Sequence, residues 1–219
     1  MPTGGYVICE YEKVRDSFPE FQSVLNKLRT TLIARAEKDW PLTWVGRRKI
    51  GEAAALGVTL SSPGPGLDVD AGLGEFGETT IIPSLFRGMI AAYQPLVTWE
   101  QWLNATGAQT IMSGANGGAM YQDYKVGIAG FVFLDKAIRI SEIKMQISDK
   151  KLPRINIEEA LVYNKPAVVF EEGYIIDEQT MFDLYAYVTT PGPQRIKLLG
   201  LQVYRVKDKL LSNCGSPLV

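Results

Sequence analysis

Between Tyr124 and Lys207 apolar residues recur at every second position, in runs of strand length separated by turn residues. A period of two excludes amphipathic helix and asks for half-buried β-strands. Phe182, Leu184, Ala186 and Val188 alternate against Asp183, Tyr185 and Tyr187, the cleanest case. Val126 to Leu134 is almost continuously apolar, the pattern of a strand covered on both faces. In two places the apolar phase slips. Ile138 and Ile140 are followed by Ile143, Met145 and Ile147, which predicts a bulge near Ser141-Glu142. Ile196 and Leu198 are followed by Leu199, Leu201 and Val203, which predicts a bend or bulge at Gly200. Ile155, Ile157, Leu161 and Tyr163 suggest a further strand, interrupted at Glu158-Glu159, and Ala167–Phe170 another that Tyr174-Ile175-Ile176 continues. Asn164-Lys165-Pro166 and Thr190-Pro191-Gly192-Pro193 are turns.

The first 123 residues read differently. Tyr6, Val7 and Ile8 form an extended leader able to add to a sheet edge or to a neighbour. Ser17 and Glu20 fit a capping box, and Phe21, Val24, Leu25, Leu28, Leu32 and Ile33 then recur at helical spacing. That helix is expected over residues 18–38, ending before Trp40-Pro41 because proline disfavours helix in the residue before it. Its single apolar stripe docks on its own domain or on a neighbouring subunit. A short helix over 50–56 and a brief strand over 58–60 follow. Residues 61–80 hold five Gly and two Pro and predict a long loop or arm. Ile81 to Tyr93 shows a second helical pattern, Thr98 and Gln101 a second capping box opening a short helix, and residues 107–120 loop character. The expected fold class is α+β: N-terminal helices and long Gly/Pro-rich loops over 1–123, packing on or extending from a C-terminal antiparallel β-sandwich over 124–207, then a tail over 208–219. About five to seven strands of this length suit a sandwich, a jelly roll being one form of it.

Composition narrows the chemistry. The chain has 23 Lys/Arg, 24 Asp/Glu and no His. Without imidazole, neither Ser-His-Asp nor Cys-His catalysis nor a His-bearing zinc site can be built within one chain. Net charge is −1, and residues 61–123 hold Arg87 alone against Asp68, Asp70, Glu75, Glu78, Glu100 and Asp123, a poor partner for phosphate backbones. Cys9 and Cys214 stand near opposite ends and are expected as inert thiols rather than a disulfide framework. The N-terminus MPTGGYVICEYEK predicts no signal peptide, and Ile81 to Leu96, broken by Arg87, is too short an apolar run to span a bilayer.

Each motif has a simpler structural explanation. Gly72-Leu73-Gly74-Glu75-Phe76-Gly77 has dinucleotide-binding spacing, but it lies in an acidic loop that repels phosphate. Asp68, Asp70, Glu75 and Glu78 lack the alternating oxygen ligands of a calcium loop. Arg47-Arg48-Lys49 reads as a solvated loop, Asn104-Ala105-Thr106 as a glycosylation pattern without a compartment, and Ser113 has no base. No catalytic, cofactor-binding or metal-binding residue is assigned. The leading expectation is a self-assembling structural protein, a virus coat (capsid) or other virion component, not an enzyme. Its partners are copies of itself and other virion proteins. Nucleic-acid contact stays open but unsupported, and no membrane span is expected. Its location is the virion, or the intracellular soluble phase before assembly. Residues 1–38 and 61–80 are the expected intersubunit contacts. The alternative is a carbohydrate- or ligand-binding sandwich stacking on Tyr185, Tyr187, Trp99 and Trp102. An enzyme using only carboxylates comes third.

Overall fold

The computed structural model describes residues 5–15, 18–40, 76–81, 83–86, 99–115 and 117–205. Most of these residues lie in two antiparallel sheets. Sheet A contains β1 (Tyr6–Cys9), β2 (Phe76–Thr80), β3 (Trp99–Leu103), β5 (Tyr124–Phe133), β8 (Ala167–Ile176) and β10 (Gly192–Arg205). Its order is β1-β8-β5-β10-β2, and β3 pairs with the first half of β10 where β2 pairs with the second. Sheet B contains β4 (Gly107–Ser113), β6 (Ile140–Ile147), β7 (Lys150–Asn156) and β9 (Phe182–Val188), in the order β4-β9-β6-β7.

The sheets pack face to face as a β-sandwich. Val126, Phe131 and Phe170 from sheet A meet Ile143, Phe182 and Leu184 from sheet B in one apolar core. A long helix, α1 (Pro19–Asp39), lies on the outer face of sheet A through Phe21, Leu28, Leu32 and Ala36. The unbroken apolar run of β5 follows from this layering. Val126, Ile128 and Phe131 face the sandwich core, while Ala129 and Val132 face the helix. Small residues let the helix come close: a Cβ on Gly127 would stand 2.9 Å from Leu32 Cδ1, and one on Gly173 2.7 Å from Leu28 Cδ1. The apolar stripe of the helix is thus covered by its own domain.

Both phase slips coincide with register shifts. In β6 the pairing jumps from Ile140 to Glu142 against consecutive residues of β9, leaving Ser141 as the extra residue, as expected. The shift at Gly200 has a different origin. Leu199 and Gly200 are consecutive partners of Gly130 and Ile128, so the extra residue is Ala129 of β5. The apolar phase of β10 changes because α1 covers only its second half, where Leu199, Leu201 and Val203 pack on the helix side.

Other local expectations change in the structure. Trp99–Leu103 is a strand, not a capped helix, because residues 192–196 of β10 offer an edge to pair with and Trp99 and Leu103 bury on one side. Gly107–Ser113 is a strand, not a loop, and Phe76–Thr80 at the end of the expected long loop pairs with β10. The sandwich therefore draws four strands from the first 123 residues. Leu161 and Tyr163 sit in a short helix, α2 (Glu158–Tyr163), closed by Asn164 in the left-handed conformation, rather than in a strand. Helix α1 starts at Pro19 with Phe18 as its N-cap and no side-chain cap. Of the second helical pattern, the structure describes a 3₁₀ turn at Pro83–Phe86. The elements expected over 50–56 and 58–60, and the loop as far as residue 75, lie outside the described residues.

Candidate functional site

The alternation that buries Phe182, Leu184, Ala186 and Val188 inside the sandwich turns Asp183, Tyr185 and Tyr187 outward on sheet B. Register then decides which side chains join them. Tyr185 lies opposite Thr110 of β4 and Lys144 of β6, and Lys144 in turn opposite Arg154 of β7. Tyr187 lies opposite Ala108 and Glu142, and Gln146 opposite Asp183 and Lys151. Directly opposed residues have Cβ atoms about 4.5–5.5 Å apart, so these three rows form one surface. A groove of about 350 Å³ runs across it, lined by Tyr185, Tyr187, Glu142, Lys144, Lys151 and Arg154 among others. The exposed Tyr187 has the small Ala108 as its cross-strand neighbour.

Its electrostatics are mixed. Arg154 pairs with Glu142 at 3.2 Å, and the Tyr185 hydroxyl donates to Asp183 at 3.4 Å. Burial, and after it the Asp183 carboxylate, push the Tyr185 phenol up, so it remains a neutral hydroxyl near neutral pH. Among the described residues Lys144 and Lys151 take part in no ion pair.

The four aromatics expected to stack together are divided by the fold. Trp99 is buried in the sandwich core, and Trp102 is exposed on β3 in the other sheet. Only Tyr185 and Tyr187 share a surface. The lysines beside them were missed because their proximity depends on the pairing of β6 with β7 and β9, which no short motif encodes. Of the acidic residues, Asp68, Asp70 and Glu75 lie outside the described residues, as do Arg47-Arg48-Lys49 and Cys214. Glu78 is held by Arg29 of α1 at 2.7 Å, tying the helix to β2. Cys9 is a half-buried free thiol whose pKa burial raises. Among the described residues no group of three or more His, Cys, Asp or Glu could hold a metal ion.

A second groove, of about 380 Å³ and largely apolar, lies between β1 and the start of α1, lined by Val7, Cys9, Phe18, Phe21, Val24 and Val169. Val7 in this lining is exposed, as are Tyr11 and, in α2, which contacts β1, Val162 and Tyr163. Among the described residues β1 is the outermost strand of sheet A on that side.

Among the described residues the one buried cation, Lys125, is structural. Lys125 of β5 reaches Asp39 at 2.6 Å and Asp177 at 3.2 Å, with its ammonium 5.1 Å from the Trp40 ring centre. Trp40 Nε1 donates to Glu178 Oε1 at 2.8 Å, and Arg35 of α1 pairs with Asp177. The group fastens the end of α1 to sheet A. The hydrogen bond from Lys125 is the main cause holding the Asp39 carboxyl below its ordinary value. A carboxylate depressed in the folded state stabilises above its unfolded pKa, and that contribution is lost as pH falls through the folded value. Melting temperature is therefore expected to drop below about pH 4, and Lys125→Met to make that drop shallower. Identical pH profiles for the two proteins between pH 7 and 2 would remove Asp39 from the account.

The chain matches no protein-family model and no curated protein.

Proposed function

We propose that the chain is a self-assembling structural protein, a virus coat or other virion component, and that its sandwich is a jelly roll. The observation that carries the fold part is the nesting of strand pairs. β3 pairs with β10 and β4 with β9, while β5 pairs with β8 and β6 with β7. These are the four rungs of one long eight-stranded hairpin. Rolling it up adds the β5–β10 and β6–β9 pairs that complete the two sheets. Jelly rolls serve as capsid and lectin domains among others, so the fold alone does not choose between assembly and binding.

The surface weighs toward assembly. An outermost strand with unpaired backbone groups is a template for another chain unless it is blocked. Among the described residues β1 is the outermost strand on one side of sheet A, and beside it lie the apolar groove and the exposed Val7, Tyr11, Val162 and Tyr163. A second copy seated at this edge would bury apolar surface that a lone chain leaves in water. On this reading the intersubunit contact lies at β1 and α2. The buried face of α1 is committed to its own sheet and takes no part.

Light scattering and electron micrographs of the purified full chain, across pH and salt, test the proposal. Oligomers or particles are expected, and Val7→Asp combined with Tyr163→Asp is expected to shift them to monomer while leaving the melting curve in place. A monomer under every condition, at high protein concentration, would end the assembly reading.

A further inference from the structure

We propose that the outer groove of sheet B binds an acidic saccharide, a sugar chain carrying a carboxylated ring. The proposal does not depend on the assembly reading, since the groove lies on the sheet opposite β1. Three features of the groove select this class of ligand.

The first is size. About 350 Å³ lies at the lower end of small-molecule clefts, which run from about 300 to 1,000 Å³, and suits one or two sugar rings rather than a protein segment. The second is the pair of tyrosines two residues apart on one strand face. Their rings offer flat apolar surface with a hydroxyl at the tip, the combination that packs on the C–H face of a pyranose while bonding its edge. Tyr187 is exposed, and its cross-strand neighbour is the small Ala108.

The third is charge. The groove lining carries Lys144, Lys151 and Arg154 against Glu142, and Asp183 stands in the next row. Glu142 engages Arg154, and Asp183 takes the Tyr185 hydroxyl, which leaves two ammonium groups for an anion. A nucleic-acid strand needs several uncompensated cations in succession, and interleaved carboxylates repel it. A polyhydroxylated ring with a single negative charge uses both signs: its carboxylate meets Lys144 or Lys151, and its hydroxyls donate to Glu142 or Asp183. Gln146, between Asp183 and Lys151 in register, adds a group that both donates and accepts.

Saturation-transfer NMR on the full chain with sialyllactose, lactose and a ten-residue oligothymidylate tests this. Transfer to the sialic-acid ring protons is expected, with millimolar or tighter affinity, and little transfer to lactose. Tyr187→Ala and Lys144→Glu are each expected to weaken the signal tenfold or more, with Lys27→Glu on α1 leaving it unchanged. Circular dichroism checks that each variant is folded. Should Tyr187→Ala fail to fold, Lys144→Gln and Lys151→Gln give the same readout. Absence of transfer, equal transfer to lactose, insensitivity to the groove variants, or displacement of the sugar by oligothymidylate would each overturn the proposal.

Discussion

Replacing both carboxylates beside Lys125, as Asp39→Asn/Asp177→Asn, is expected to destabilise the chain by about 3–5 kcal/mol, the cost of leaving a buried charge without a counterion. The Lys125 side chain is 1% exposed, and its neighbours along β5 are buried on both faces of the sheet. Asparagine keeps the shape of each carboxylate and part of its hydrogen bonding but removes the charge. The reverse change is expected to be far milder. Lys125→Met keeps the length of the aliphatic stem, and the carboxylates it abandons are 40% and 34% exposed and can return to water. Replacing a buried ion by an apolar residue of similar volume is often close to neutral. Asp177 also pairs with Arg35, but exposed pairs contribute only about 0.2–1 kcal/mol, too little to produce the difference. Urea denaturation of the three proteins gives the ordering directly. If Lys125→Met proved as costly as the double asparagine variant, the cluster would be held by packing rather than by charge.

The same cluster bears on the proposed assembly. A helix whose buried face is seated in gaps left by Gly127 and Gly173, and whose end is fastened by Lys125 and by Glu178 through Trp40, is not an arm free to exchange between subunits. In the proposed assembly, the contacts would fall to the surfaces the helix leaves open, β1 and α2 foremost. A consequence follows for the double asparagine variant. Loosening α1 uncovers Leu199, Leu201 and Val203 on the outer face of sheet A. Exposed strand faces of this kind favour non-specific association, so loss of the cluster is expected to yield aggregates rather than ordered oligomers.

How much of this was legible in the sequence depends on where the information sits. The alternation in β9 and the continuous run in β5 are local, and they correctly indicate a half-buried strand and a doubly covered one. Extra residues are also local, and the slip at Ser141 identifies the bulge in β6. The slip at Gly200 shows the limit of that logic. A change in apolar phase can come from a bulge in the strand or from a second layer beginning to cover it, and at β10 it came from α1. Trp99–Leu103 and Gly107–Ser113 were hidden for another reason. Each is five to seven residues long with weak alternation, and each becomes a strand because a longer one, β10 or β9, offers it an edge. The groove was half visible. Tyr185 and Tyr187 are two apart, and the strand period alone turns them outward together. Lys144, Lys151 and Arg154 reach them only through cross-strand register, which depends on turns and bulges distributed across sheet B. The buried Lys125 was masked by the apolar run around it, since its partners Asp39 and Asp177 lie 86 and 52 residues away.

Gly200→Ala is the second substitution expected to have a large effect, about 3 kcal/mol or more, from backbone strain and overpacking acting together. Gly200 has φ of +141°, a conformation that residues with a side chain rarely adopt. A Cβ built there falls onto the carbonyl oxygen of Gly127, 3.0 Å from its carbonyl carbon and 3.1 Å from Ile81 Cδ1. Ile81 can rotate away, but the carbonyl is backbone, and moving it means opening the β5–β10 pairing beside the extra residue at Ala129. Gly107→Ala provides the comparison. Gly107 also has positive φ, +104°, but nothing stands within 4 Å of its added Cβ, so strain acts there alone, at about 1–3 kcal/mol. Thermal melts of the two variants separate the contributions. Equal destabilisation would mean that β5 and β10 can part at the bulge without cost. The larger loss expected for Gly200→Ala has a functional reading as well. β10 pairs with β5, β3 and β2, so slackening at Gly200 reaches four of the six strands of sheet A and, through β8, the β1 edge, while leaving the four strands of sheet B paired. The variant is therefore expected to lose ordered oligomers at temperatures where the saccharide signal from sheet B survives. Loss of both readouts at a single temperature would show instead that the two sheets unfold as one unit.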